Sequence, residues 1–260
     1  MKVSLVQKKH VLGDKEANLG IITNTVKQND SDLYIFPELF LTGYRLRDRL
    51  WDEAEQIPGP STDIIAELTE EEQTSIIFGM PEKVGRSGRL KNSAVLINPE
   101  GDIDVYRKTY LPNFGPFEEM RYFGSDDEIP VFDTQFGKLG MVICYDIFFP
   151  ELTKAMALKG ADFIVCISAS PSISKKFFET VLPARAIETT AFTFYANLLG
   201  REENFTFWGG DRVISPTGME VARGPIYEED MLTVEIDLED LDRARKGRPV
   251  LNDTRDFLIE

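Results

Sequence analysis

The chain has 260 residues, with 44 acidic and 29 basic side chains and a net charge of -15. This acidic balance argues against nucleic acid or a membrane surface as a partner, because binding either needs clustered Lys and Arg. The single histidine, His10, excludes zinc sites with two or three histidines, and any histidine-dependent triad would have to use it. We predict that His10 lies in an exposed loop, so hydrolytic chemistry would have to proceed without imidazole.

The composition, 42% hydrophobic and 28% charged, is that of a globular protein, and we expect one domain over residues 1–260. The two cysteines, Cys144 and Cys166, give no disulfide framework. The start of the chain is too quickly charged for a signal peptide, and no apolar run approaches the roughly 20 residues that span a bilayer. These features favour the reducing cytoplasm.

In the first half of the chain, short β-branched runs alternate with segments of helical period. They predict strands over residues 2–7, 33–36 and 75–80, and helices over residues 16–27 and 62–72, the second with Ser61 as its cap. Residues 94–97 and 103–106 flank Asn98-Pro99-Glu100-Gly101, which is typical of a type I hairpin turn. Residues 107–128 lack clear periodicity, and long structured loops in compact domains are often functional.

The second half repeats the alternation. It predicts strands over residues 139–143, 163–168 and 192–197, and helices over residues 150–159 and 175–189. A second hairpin joins residues 212–214 to 220–222 through Ser215-Pro216-Thr217-Gly218. Hairpins mixed with strand–helix units predict an α/β fold in which two mixed sheets pack face to face with helices outside.

Cys144 ends an apolar strand shortly before the helix predicted to begin at Pro150. A thiol at such a turn is presented at the edge of the sheet, near helix N-terminal amides that favour thiolate. A buried, inert cysteine is the alternative interpretation for this residue taken alone. Cys166 lies inside a strand among Ile and Val, and we predict that it is a small core residue.

A thiol nucleophile needs a proton acceptor and positive charge where an oxyanion develops. Glu38 follows a buried strand in Phe36-Pro37-Glu38, and Arg107 and Lys108 leave another strand. Each charged residue taken alone is also typical of a solvated surface.

The three segments in this order resemble the nitrilase superfamily of carbon–nitrogen hydrolases over almost the whole chain. The resemblance implies a four-layer α-β-β-α sandwich that needs no metal or organic cofactor. It implies that Glu38 is the general base, Lys108 stabilises the tetrahedral intermediate and Cys144 is the nucleophile. The backbone N–H of Tyr145 would complete the oxyanion hole.

Further positions match the family less specifically. Glu119 corresponds to a second site glutamate, with Glu118 as a competing assignment one residue away. Tyr44 is a candidate pocket residue, and so are three residues that follow the strand after the nucleophile helix. These are Ser168, Ala169 and Ser170, although a serine after a strand is often a cap.

Residues 110–123 and 197–211 are similar to the glutaminase domains of glutamine-dependent NAD synthetases. We do not expect a synthetase domain, because the 260 residues leave no room for one and contain no nucleotide-binding glycine motif. We expect a free-standing amidase that cleaves a small amide through a cysteine thioester and releases ammonia and a carboxylic acid. Nitrile hydrolysis, N-carbamoyl hydrolysis and a glutaminase subunit with a separate partner remain open. A metal-dependent phosphodiesterase and a non-catalytic binding module are alternatives of other classes. The resemblance also implies a homodimer or larger homo-oligomer, with the tail of residues 246–260 at the interface.

Overall fold

The structure, a computed structural model, describes residues 1–85 and 88–255. Its strands are β1 (Lys2–Gln7), β2 (Leu33–Ile35), β3 (Ser75–Lys83), β4 (Leu90–Ile97), β5 (Ile103–Arg107), β6 (Phe132–Thr134), β7 (Gly137–Ile143), β8 (Phe163–Ser168), β9 (Phe192–Asn197), β10 (Leu199–Glu202), β11 (Phe205–Trp208), β12 (Arg212–Ile214), β13 (Glu220–Arg223) and β14 (Asp230–Glu235). Its α-helices are α1 (Lys15–Lys27), α2 (Leu50–Glu53), α3 (Pro60–Glu72), α4 (Glu119–Tyr122), α5 (Pro150–Leu158), α6 (Lys175–Thr189) and α7 (Glu239–Gly247).

Twelve of these strands form two mixed sheets of six. The first sheet has the order β14-β1-β2-β3-β4-β5, and the second has the order β13-β12-β9-β8-β7-β6. In each sheet three neighbouring strands are parallel, β1-β2-β3 in the first and β7-β8-β9 in the second, and the outer strands pair antiparallel. The predicted α/β sandwich of two mixed sheets is confirmed.

The alternation of side chains along the strands explains why the sheets face each other. In β3, Ile77 points into the core shared with the second sheet, whereas its neighbours Ile76 and Phe78 point to the opposite face. That opposite face is covered by α1 and α3, and α5 and α6 cover the outer face of the second sheet. The strands are apolar on both faces because each sheet is buried on both sides.

Both predicted hairpin turns are present. The N–H of Gly101 donates to the carbonyl of Asn98 at 3.0 Å, and that of Gly218 donates to the carbonyl of Ser215 at 2.8 Å. The helix predicted over residues 175–189 has these bounds, and helix α3 begins at Pro60, two residues before the prediction. The predicted cap Ser61 was therefore wrong: Ser61 is inside α3, where its N–H and hydroxyl donate to Glu55.

His10 was also predicted wrongly. Its side chain is only 3% exposed, and its Nε2 is hydrogen-bonded to Oε1 of Glu202. The same carboxylate accepts the backbone N–H groups of Tyr44 and Arg45. The histidine therefore belongs to a buried polar network rather than to an exposed loop.

Of the tail that the sequence places at a subunit interface, the last five residues, 256–260, lie outside the described residues. The part before them begins in the last two residues of α7, and its Arg248 and Val250 line a cavity of about 360 Å³ together with Pro150 of α5. The interface itself remains a prediction. No α-helix formed by the described residues is long and apolar enough to cross a membrane.

Candidate active site

The predicted site residues follow strands of both sheets. Glu38 comes after β2, Lys108 comes directly after β5, and Cys144 comes directly after β7. Glu119 is the first residue of the short helix α4, within the long loop that the sequence singled out. In α/β folds, functional residues often lie at the carboxyl ends of strands, so this edge of the sandwich is the candidate site.

The Lys108 ammonium is at the centre of a buried charge cluster. Its Nζ donates to Oε1 of Glu38 at 2.8 Å and to Oε1 of Glu119 at 2.9 Å. The lysine side chain is fully buried, and so is that of Glu38. Burial alone would lower the pKa of Lys108, but the carboxylates of Glu119 and Glu38 outweigh it and raise that pKa well above its usual value. The ammonium therefore stays charged throughout the neutral range.

Of the two neighbouring glutamates, Glu119 contacts the lysine and Glu118 does not. Besides the lysine, Oε1 of Glu119 accepts the hydroxyl of Tyr44 at 2.8 Å. Glu118 is instead paired with Arg45 at 3.3 Å, away from the cluster. Burial raises the pKa of Glu119, the Lys108 ammonium lowers it and the Glu38 carboxylate raises it, and together these effects place it at about 7. Tyr44 is thus part of this network rather than of the cavity lining.

Three donors fix the carboxylate of Glu38. Besides Lys108, the amide Nδ2 of Asn92 donates to Oε1 at 2.7 Å, and the backbone N–H of Ala169 donates to Oε2 at 2.6 Å. Ala169 comes directly after β8, so this last bond joins the two sheets. A carboxylate held on both oxygens has one orientation, which a base acting on a defined proton requires.

Gly79 allows the turn that carries Glu38 to pack closely against β3. A Cβ at this position would lie 2.3 Å from the N of Leu39 and 2.7 Å from the Cα of Glu38. The backbone of the turn therefore lies directly on β3, where the N–H of Gly79 donates to the carbonyl of Pro37. Only glycine allows this approach.

Cys144 occupies a strained position. Its φ is 51°, in the left-handed region that non-glycine residues rarely adopt, and it begins a 3-10 helix over Cys144–Phe148. Such strain persists where the surrounding structure imposes it, and it is concentrated at functional sites. Tyr145 is the second residue of this helix, so its N–H has no carbonyl of a preceding helical turn to bind.

Asp146 holds the cysteine turn in place and was not singled out in the sequence. Its Oδ2 accepts the N–H of Ile143 at 3.0 Å and the hydroxyl of Tyr106 at 2.8 Å. Its Oδ1 accepts the N–H of Tyr110 at 2.8 Å. Because Tyr106 and Tyr110 bracket the lysine, one carboxylate ties the cysteine turn to the lysine segment. Burial raises the pKa of Asp146 to about 6.

The thiol of Cys144 is 7% exposed and lies within electrostatic range of the charge cluster. Burial raises the pKa of this thiol well above its usual value, Glu38 adds to the rise, and the Lys108 ammonium opposes it. The resting cysteine is therefore a protonated thiol beside a carboxylate. Cys166 is fully buried inside β8, as predicted, and burial raises its pKa to about 12.

A cavity of about 280 Å³ opens beside Cys144. Of the candidate pocket residues, Ser170 lines it, whereas Ser168 and Ala169 do not. Most of the lining is aromatic and comes from three separate segments of the chain. The aromatic side chains are Phe114, Phe117, Tyr145, Phe148, Phe177 and Phe178.

Several residues of the site escaped the sequence analysis. Asn92 and Gly79 were inside predicted strands or their extensions, and a polar side chain in the apolar strand 90–97 was the only signal for Asn92. The aromatic lining had no periodic pattern. Within residues 1–85 and 88–255, no group of three or more His, Cys, Asp or Glu side chains is arranged to hold a metal ion.

Comparison with known proteins gives consistent matches. The family described as carbon-nitrogen hydrolase matches residues 2–246. A probable nitrilase from Schizosaccharomyces pombe is 33% identical over 84% of this chain and 79% of its own length. A glutamine-dependent NAD(+) synthetase from Aquifex aeolicus is 33% identical over 94% of this chain but only 44% of the synthetase.

Among solved structures, an amidase variant from Nesterenkonia sp. AN1 superposes with a TM-score of 0.86 and 25% identity, covering 99% of this chain and 95% of the amidase. That structure shows covalent addition of the acetamide moiety of fluoroacetamide at the active-site cysteine of the amidase.

Proposed function

Because the chain belongs to the carbon–nitrogen hydrolase family, we propose that it hydrolyses the C–N bond of a small amide through a thioester on Cys144. The observation that carries the proposal is the strained Cys144, which faces a cavity beside the buried Glu38–Lys108–Glu119 cluster. No inert core cysteine needs a left-handed backbone, a cavity and a buried ammonium at once.

In the first step Glu38 accepts the proton of Cys144 as the sulfur attacks the amide carbon. The carbon–sulfur bond forms, and the electron pair of the carbonyl moves to its oxygen. Because the thiol pKa is raised, thiolate does not accumulate at rest, and the proton leaves as attack occurs. The fixed orientation of the Glu38 carboxylate suits this transfer.

The oxyanion is stabilised by the Lys108 ammonium and the N–H of Tyr145. The ammonium is already charged and buried, so it does not have to reorganise during the reaction. When the intermediate collapses, the carbon–nitrogen bond breaks and Glu38 returns its proton to the departing ammonia. Water then attacks the thioester by the same route, which releases a carboxylic acid and restores the thiol.

Glu119 holds the lysine and does not contact the thiol in this scheme. Its bond to Tyr44 and Tyr44's link to Glu202 extend the network towards His10. Asn92 and Asp146 act as positioning residues, the first for Glu38 and the second for the turn that carries Cys144.

Nitrile hydrolysis is the second candidate, and the likeness to a probable nitrilase favours it. Attack of the same thiol on a nitrile carbon would place negative charge on nitrogen instead of oxygen. The lysine ammonium could stabilise that charge in the same way.

The test is ammonia release from short aliphatic amides and nitriles, measured with wild type, Cys144→Ala and Cys166→Ala. We expect Cys144→Ala to abolish release and Cys166→Ala, the matched control in the core, to retain it. An acyl adduct of defined mass on the peptide that contains Cys144 would identify the thioester. Full turnover by Cys144→Ala would refute the proposed function.

A further inference from the structure

The cavity beside Cys144 has an apolar lining. Five phenylalanines and Tyr145 contribute to it, together with prolines and two serines, Ser170 and Ser174. Within the described parts of the chain, no Asp, Glu, Lys, Arg or His lines this cavity. Among the described residues that line it, the polar side-chain groups are hydroxyls and the reacting thiol, so a charged part of a substrate would find no counter-ion in the lining.

Three cations close in sequence or contact to the lining residues are paired with carboxylates, and Lys176, which precedes Phe177, is exposed and does not line the cavity. Lys175, which follows the cavity residue Ser174, is bonded to Glu179 at 2.8 Å. Arg45, whose guanidinium stacks on Phe205, is paired with Glu118 and Glu203. The ammonium of Lys108 is held by two carboxylates. The third N–H of Lys108 is the one that the proposed mechanism gives to the oxyanion, and Lys175 and Arg45 would have to share their existing carboxylate partners to bind a substrate carboxylate.

The volume sets the size of the group that fits. An apolar cavity of about 150 Å³ holds benzene, so a cavity of about 280 Å³ accommodates a phenyl ring on a short tether. The lining rings already pack against one another edge to face, as Phe148 does on Phe178 with centroids 4.9 Å apart. An aromatic substrate ring can join this cluster with the same geometry.

We propose that the acyl group accepted at Cys144 is uncharged and apolar, up to the size of a phenylpropanoyl group. This proposal rests on the proposed function. Glutamine, with an ammonium and a carboxylate on its acyl chain, is then a poor substrate. Moving those charges into a cavity without partners costs far more than the contacts of the chain return. The similarity to a glutamine-dependent NAD(+) synthetase therefore does not make glutamine the substrate of this chain.

The test compares glutamine with butanamide, which has the same carbon chain up to the α-carbon but neither charge, and with 3-phenylpropanamide. We expect kcat/KM for glutamine to be lower than for butanamide by about a hundredfold or more. We expect 3-phenylpropanamide to equal or exceed butanamide. A glutamine value equal to or above that of butanamide would overturn the inference but leave the amidase proposal intact.

Phe177 allows a charge to be placed at the cavity. It lines the cavity but is 61% exposed, so Phe177→Arg should fold. We expect this variant to reduce the ratio of kcat/KM for butanamide to kcat/KM for glutamine by about tenfold, because the new guanidinium supplies a partner for the carboxylate of glutamine. This ratio is the gap between the two substrates. The matched control is Ile64→Arg on α3, which is 47% exposed and lies outside the cavity, and its gap should not change. An unchanged gap in Phe177→Arg would contradict the inference.

Binding to Cys144→Ala separates the two proposals. By calorimetry, this variant should bind 3-phenylpropanamide more tightly than glutamine, even if turnover by wild type is slow. Tighter binding of glutamine would overturn the inference. Wild type that releases ammonia from none of the three amides would instead overturn the proposed function.

Discussion

Gly79→Ala tests whether the close packing of the Glu38 turn against β3 positions the Glu38 carboxylate. The new methyl group would lie 2.3 Å from the N of Leu39, 2.7 Å from the Cα of Glu38 and 2.8 Å from its carbonyl carbon. These distances are shorter than the roughly 3.5 Å of van der Waals contact by up to about 1 Å. All three atoms belong to the backbone, so no side-chain rotation relieves the overlap, and the turn itself must move.

We expect two consequences. Overpacking of this kind should lower the free energy of unfolding by about 1–3 kcal/mol. Displacement of the Glu38 carboxylate from the thiol by about 1 Å should lower kcat/KM by about 100-fold, because proton transfer depends on a narrow range of geometry. The assay is ammonia release from the best amide of the panel at a temperature where a melting curve shows the variant to be folded.

Gly140→Ala in β7 is the matched control. Its methyl group would meet Sδ of Met156 at 2.7 Å and Cδ1 of Ile164 at 3.2 Å, which can rotate away, and Cβ of Met156 at 3.2 Å, which needs a shift of only a few tenths of an ångström in α5. It should therefore lose stability but keep kcat/KM within a few-fold of wild type. A folded Gly79→Ala variant with wild-type kcat/KM would refute the argument that the contact with β3 positions Glu38.

Three further predictions concern Asp146, Cys144 and His10. Because burial raises the pKa of Asp146 to about 6, the protonated group adds to the stability of the fold at low pH, and this contribution is lost as the pH rises through 6. In chemical unfolding, the free energy of unfolding should therefore fall less between pH 5 and pH 7 for Asp146→Asn than for wild type. Because the pKa of Cys144 is raised well above its usual value, the rate of its alkylation by iodoacetamide, measured by mass spectrometry, should increase continuously up to pH 9. A rate that is already constant between pH 5 and pH 7 would indicate a preformed thiolate instead. His10→Ala removes a donor from the buried carboxylate of Glu202 and should lower the free energy of unfolding by about 1–3 kcal/mol, measured in urea. The folded variant should retain its turnover, because His10 makes no bond to Glu38, Lys108 or Cys144.

The sequence predicted those features that depend on local order along the chain. The strands, the two hairpin turns and the long helix of residues 175–189 were predictable from period and turn residues. Glu38, Lys108 and Cys144 were recognisable because each follows a strand within a short motif. The structure then showed that Glu38 and Lys108 are in contact, which no spacing along the chain reveals.

The remaining features depend on distances between segments far apart in sequence. Asn92 bonds a carboxylate 54 positions away, and Asp146 bonds a tyrosine 40 positions away. His10 looked exposed because its neighbours are lysines, but its partner Glu202 is 192 residues further on. The aromatic lining of the cavity was equally hidden, because its residues come from three segments with no shared pattern.

Hydrogen bonds that cross between the two halves of the sandwich, among them Ala169 to Glu38 and Tyr106 to Asp146, have a consequence for how unfolding would be detected. Each of these two joins a strand end of one half of the sandwich to a reacting segment of the other half. A partly loosened state could keep its helices and strands, and hence its far-ultraviolet circular dichroism, while the halves slide apart. Enzyme turnover would stop in that state, so ammonia release measures the docking of the two halves and should be lost before the backbone signal under mild denaturation.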